Sequence, residues 1–287
     1  MGTSQSSKGS PSGVPMVPPW VPDLPLPPPP NPPVPQEGAP PDTDATPGSV
    51  PPPAPPKEPI PMAPAGRFRA TNVNLGEWAR TGDRGQLKRG MGHYVAKGYA
   101  GSSTATRRMA STAQTANSLF TALGGGAANS FAAPGAPLDP ALTASMSADE
   151  IMDAVVEAVR PVDGTQDSEA NRAAIMDALS DVLTEFPDAD LRNLLPEQRE
   201  VAIERFVAAD IFRRVDLDIG AKVLAKAPTA AAGMGRMREM RDFVREHVSE
   251  AFRKVRAAGQ TFVASRVTQI VQMAIRETFT VFESYVE

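Results

Sequence analysis

Most of the 31 prolines in this chain crowd into its first 65 residues, in runs such as PLPPPPNPPVP and VPPPAPPKEPIP. No other feature limits the fold so strongly. Proline has no backbone N–H and a fixed φ, so such runs enter neither a helix interior nor a central strand. They favour polyproline II, which lacks internal hydrogen bonds and has little to bury. Residues 1–65 therefore read as a long disordered proline-rich arm. At ~3.1 Å per residue its contour is on the order of 200 Å. Folded structure must come from the remaining, roughly 220, residues, enough for one sizeable core or for a small and a larger one.

Residues 66–125 form a small basic helical region with short apolar periods broken by glycine. Between Arg67 and Arg108 stand nine basic residues, Arg67, Arg69, Arg80, Arg84, Lys88, Arg89, Lys97, Arg107 and Arg108, against Glu77 and Asp83. Such a stripe is either a solvated face or a surface for phosphates. Arg67, Arg69, Lys88, Arg89, Arg107 and Arg108 are its candidate nucleic-acid contacts. Residues 126–140 read as a linker.

Residues 141–287 read as a helical bundle, and the fold class is all-α. Ser147 and Glu150 have capping-box spacing before Ile151, Val155, Val156 and Val159. Asp167 or Ser168 is the expected cap of the next helix, which carries Ile175, Leu179, Val182 and Phe186. Pro196 suits a first helical turn, and Gly220 marks a break before AKVLAKAP. Two long amphipathic segments follow, with Val244, Val248 and Phe252 on the first and Val267, Ile270 and Ala274 on the second. Gly259 between them predicts an antiparallel C-terminal hairpin.

A reaction centre is not legible. The chain has no cysteine, which excludes disulfides, thiolate-bound zinc and thiol catalysis. His93 and His247 are far apart and lack metal-ligand spacing, so neither a metal nor a cofactor is expected. The best phosphate-loop mimic is Gly98-Tyr-Ala-Gly101-Ser-Ser-Thr, a turn that also reads as an ordinary helix start. No apolar run is long enough to span a bilayer, and no secretory signal is visible. The expectation is a non-enzymatic cytoplasmic protein, with no membrane partner.

The N-terminus, MGTSQSSKGSPSGVPMVPPWVPD, carries more information. It fits the myristoylation pattern, which requires a host with the transferase, but its chemistry suggests something more general. Removal of Met1 would leave Gly2 with a free α-amine, whose pKa of ~7.7–8 keeps a usable fraction neutral at cellular pH. Glycine adds no steric hindrance, and the Ser/Gly run gives slack. Val17, Pro18, Pro19, Trp20 and Val21 then suit a docking segment outside a modifying enzyme's pocket.

The MGTS start, the V-P-x-W-type segment, RFRATNVNLGEWARTGD, GHYVAKGYAGSSTATRRM and, more loosely, FVAADIFRRVDLDIGAKVL together resemble QatB. QatB is a component of the bacterial Qat anti-phage defence systems, which also encode an ATPase, a QueC-like protein and a TatD-like nuclease. QueC enzymes use ATP to activate a 7-deazaguanine carboxylate for attack by ammonia. The resemblance thus implies that a QueC-like partner joins a deazaguanine to Gly2 through an amide. The ATPase and nuclease are further implied partners. The alternative from the residues themselves is a nucleic-acid-binding or structural adaptor subunit.

Overall fold

The computed structural model describes residues 12–25, 59–124 and 145–286. Gly2, much of the proline arm and the expected linker lie outside the described residues. Among those described, every regular element is helical, and extended backbone pairs only in an isolated bridge between Pro15 and Met62.

The helices are α1 (Arg69–Thr81), α2 (Arg84–His93), α3 (Ser102–Arg108), α4 (Ala110–Ala122), α5 (Ala148–Val159), α6 (Gln166–Glu185), α7 (Pro196–Val215), α8 (Ala221–Lys226), α9 (Ala230–Ala257) and α10 (Val267–Ser284). Two wide π-helical turns, Tyr94–Gly98 and Asp216–Gly220, follow α2 and α7. Local chemistry, a capping side chain or a first-turn proline, explains half of these helix starts. The Ser147–Glu150 capping box forms as its spacing predicts, and Pro196 sits at the first turn of α7.

Two local expectations are corrected. The cap of α6 is Thr165, whose hydroxyl accepts from the Ser168 N–H at 3.1 Å. Asp163 holds that hydroxyl in place at 2.6 Å, which starts the helix earlier and frees Asp167 for another partner. Gly220 does not break the chain. The π turn passes directly into α8, with helical backbone at Gly220 itself.

Residues 66–124 and 145–286 share one core that runs from Phe68 to Phe282. Its centre is α10, which buries Val267, Ile270, Val271, Ala274, Ile275, Phe279 and Phe282. Helices α9, α4, α3 and α2 all pack on α10. The C-terminal hairpin is antiparallel. His247 meets Tyr285 and Lys254 meets Glu277, so partners advance along α9 as they retreat along α10. Gly259, at φ +79°, ends α9 in the left-handed conformation that glycine adopts freely. The side chains of Val244, Val248, Phe252, Val267, Ile270 and Ala274 are all buried. Met240 is core filler as well. Among the described residues no helix is long and apolar enough to cross a membrane.

Candidate functional site

The N-terminal segment is fastened to this body. Gly13 N–H donates to the Ala63 carbonyl, and Ala63 N–H donates to that of Val14, both at 2.8 Å. Met16 N–H donates to the Pro61 carbonyl at 3.0 Å. Two stretches of the expected arm are therefore clipped together where the chain enters α1. Beyond the clip, Val21 N–H donates to the Pro18 carbonyl at 3.0 Å, closing a β-turn with Pro19 and Trp20 at its corners. Folding back in this way points Val17 and Val21 the same way. Both are buried with Ala110, at the start of α4, and Leu24 packs on this small cluster.

The expected docking segment is thus divided. Val17 and Val21 pack on this chain's own body, Pro18 is half-buried, and Pro19 is exposed. Trp20 stands out from the turn with 71% of its surface exposed. The expectation that residues 12–25 and 59–65 stay unpacked is corrected. Four apolar side chains, Met16, Val17, Val21 and Ala63, are buried, and the clip satisfies backbone groups that proline leaves available.

The basic residues are scattered rather than aligned. Arg67 lies over the rings of Phe68 and Tyr99, at 4.6 Å and 5.2 Å from their centroids. It lines a cleft with Arg69 and Arg80. The Lys88 ammonium is 5.5 Å from the centre of the Tyr285 ring, and Arg89 is exposed. Arg107 is half-buried, and Arg108 is buried against Asp167 at 2.6 Å. Arg108 therefore leaves the expected phosphate-binding surface. Lys222 and Lys226 of α8 join Arg67 and Arg69 at the cleft, a meeting across some 150 residues that sequence reasoning missed. Their spacing of four along AKVLAK was the available signal.

Beneath the surface lies a polar network where the two π turns meet. The hydroxyls of Tyr94 and Tyr99 both donate to Asp218 Oδ2, at 2.9 Å and 2.7 Å. Burial, and next the charge of Asp218, pushes both phenols above their ordinary range, so they act as fixed donors rather than acids at neutral pH. Beside them Asp167 sits between Arg108 and Arg214, whose contacts are 2.6 Å and 2.8 Å. Burial alone would raise its pKa. Arg214 and then Arg108 outweigh that and hold it at about 2. A second carboxylate, Asp210, accepts from Thr112 at 2.5 Å and from Asn171 at 2.7 Å. Burial raises its pKa, and those hydrogen bonds oppose the rise.

The histidines are likewise engaged in packing. His247 Nδ1 lies 2.8 Å from the Phe243 carbonyl and Nε2 lies 2.7 Å from the Tyr285 hydroxyl. A carbonyl only accepts, so Nδ1 is the donor to Phe243, and in the neutral ring Nε2 accepts from the Tyr285 hydroxyl. Burial, and then Lys97, lowers the pKa of His93. At the phosphate-loop mimic the Ser102 N–H donates to Glu283 Oε2 at 2.9 Å. The chain's own carboxylate thus occupies that helix start. Among the described residues no group of three or more His, Asp or Glu is placed to hold a metal ion.

A family model, described as Qat anti-phage system associated protein QatB, matches residues 100–282. The chain belongs to the QatB family. As a QatB protein it is a component of anti-phage defence. No curated protein and no solved structure matches it. The QatB match runs from the turn before α3 into α10 and covers the carboxylates and arginines of the polar network, while Tyr94 and Tyr99 lie just before it. The clipped N-terminal segment and the α1 wall of the basic cleft lie before it.

Proposed function

We propose that this QatB protein is a non-enzymatic defence component whose N-terminal glycine is the substrate of a QueC-like partner. The partner uses ATP to activate the carboxyl group of a 7-deazaguanine. The neutral α-amine of Gly2 attacks that carbon, a C–N bond forms, the activating group departs and the amine gives up a proton. The product is an amide between the base and the protein. Family membership supports the defence role and makes other Qat components, the ATPase and the TatD-like nuclease among them, the natural further partners.

The observation that carries the reading is the clip at Gly13 with Trp20 exposed beside it. A substrate tail works best when its base is fixed and its tip is free to enter a pocket. The residues from Gly2 to Gly13 span at most about 40 Å at ~3.5 Å each. Trp20, seven residues beyond Gly13 and exposed, then offers the partner an aromatic handle, and indole is a frequent anchor at interfaces. The valines of the expected docking segment instead hold the turn that presents it.

Reconstitution tests this directly. With the QueC-like partner, ATP and 7-carboxy-7-deazaguanine, top-down mass spectrometry should place one acyl-base adduct on Gly2. Trp20→Ala should leave the amine reactive but raise the concentration needed for half-maximal rate by roughly 30-fold, the equivalent of losing an anchor of ~2 kcal/mol. An adduct on a lysine, or none, contradicts the proposal.

A further inference from the structure

We propose that the cleft between α1 and α8 binds a compact phosphorylated ligand of the nucleoside triphosphate class. It has a volume of about 700 Å³, within the usual range for small-molecule sites. Its cations come from both walls: Arg67 and Arg69 at the start of α1, and Lys222 and Lys226 on α8. Arg80 also lines it but is neutralised by Glu77, with contacts of 2.6 Å and 3.2 Å. None of the other four has a carboxylate partner among the described residues. Four cations facing one concavity repel each other, and an anion with several charges relieves that repulsion.

The cleft is also built. Gly76 of α1 leaves room for the Lys226 stem, which a Cβ there would touch at 3.4 Å. The Arg67 guanidinium is held over two aromatic rings, and its buried Nε has no hydrogen-bond partner. Asn72, another lining residue, has a buried Oδ1 in the same condition. A guanidinium fixed in this way is suited to phosphate, which it meets through planar paired N–H groups. At the rim Val73 is 65% exposed and offers an apolar surface to a nucleobase.

Extended nucleic acid fits less well. Lys88 lies in a different cleft whose walls include Glu239, Asp242 and Glu246, and Arg108 is buried. A strand leaving the α1–α8 cleft toward Lys88 would meet those carboxylates. The basic surface is therefore local, matched to a few phosphates. The assignment does not depend on modification of Gly2.

Titration calorimetry of the full-length protein at low salt, with ATP, GTP and inorganic triphosphate as probes, tests it. One site per chain is expected, with affinity falling as salt screens the charges. Equal binding of all three probes would mean recognition through phosphate alone. Tighter nucleotides would mean that the base contributes. Arg69→Glu with Lys222→Glu should weaken binding at least tenfold, and Arg69→Gln with Lys222→Gln should weaken it less. Both positions, Arg69 and Lys222, are exposed, and thermal melts report whether the fold survives. Lys88→Ala with Arg89→Ala should leave affinity unchanged. Absence of binding at millimolar probe, or equal loss from the Lys88/Arg89 variant, overturns the proposal. So does a single-stranded oligonucleotide that outcompetes the triphosphates.

Discussion

Replacing Asp167 with Asn should destabilise the protein by about 2.5–3 kcal/mol at neutral pH. The carboxylate is shared by two guanidiniums, at 2.6 Å from Arg108 and 2.8 Å from Arg214. Folding lowers its pKa from 3.8 to about 2, which corresponds to roughly 2.5 kcal/mol of stabilisation. Breaking a fully buried ion pair costs about 3–5 kcal/mol. The Asp167 side chain keeps 27% of its surface exposed, so the lower end applies. Asn keeps the shape and removes the charge, leaving two guanidiniums side by side. For a protein of this size the melting temperature should drop by about 5–12 °C.

The pH dependence supplies a second signature. The folded-state pKa lies below the unfolded one, so the stabilisation is complete above the unfolded value and fades as pH falls toward about 2. The gap between wild type and Asp167→Asn should be flat from pH 7 to 5 and about half closed by pH 3. Urea unfolding followed by far-UV circular dichroism at pH 7, 5, 4 and 3 measures it. A gap below about 1 kcal/mol at pH 7, or one that stays constant down to pH 3, would refute the reasoning.

Phe252, fully buried and stacked on Phe262 at 5.9 Å, should cost ~3–5 kcal/mol when changed to Ala. Chemical denaturation giving less than about 1 kcal/mol would place it outside the core. Val17→Ser with Val21→Ser should release the clip without unfolding the bundle, and hydrogen exchange at Gly13, Met16 and Ala63 should speed up by roughly tenfold or more. Unchanged protection at those amides would mean that the two valines do not hold the segment. Tyr94→Phe and Tyr99→Phe each remove one donor to Asp218. Each should cost about 1 kcal/mol, and the double variant more than the sum, which a double-mutant cycle reads.

The parts of this fold that sequence exposes are those set by near neighbours. Ser147 and Glu150 make a cap from residues three apart, and Val244, Val248 and Phe252 mark one face of one helix. The all-α class and the C-terminal hairpin follow from such periodicity. Contacts between distant residues were hidden. Arg108 read like the other basic residues of the stripe until Asp167, 59 residues on, claimed it. Val17 and Val21 looked like a bare apolar anchor because their burial depends on Ala110 and on a clip to Pro61 and Ala63. Lys222 and Lys226 lie on a helix too short to announce its orientation, so their meeting with Arg67 needed the packed chain. The proposal for Gly2 rests on sequence alone, because the chemistry of an N-terminal α-amine does not depend on a fold.

The intact mass of the protein, purified from cells that carry the QueC-like gene beside it and from cells that lack it, tests the central claim most directly. The account predicts one 7-deazaguanine joined to Gly2 through an amide, after loss of Met1, only when that gene is present. An unmodified N-terminus in both preparations, or the same adduct in both, would contradict it.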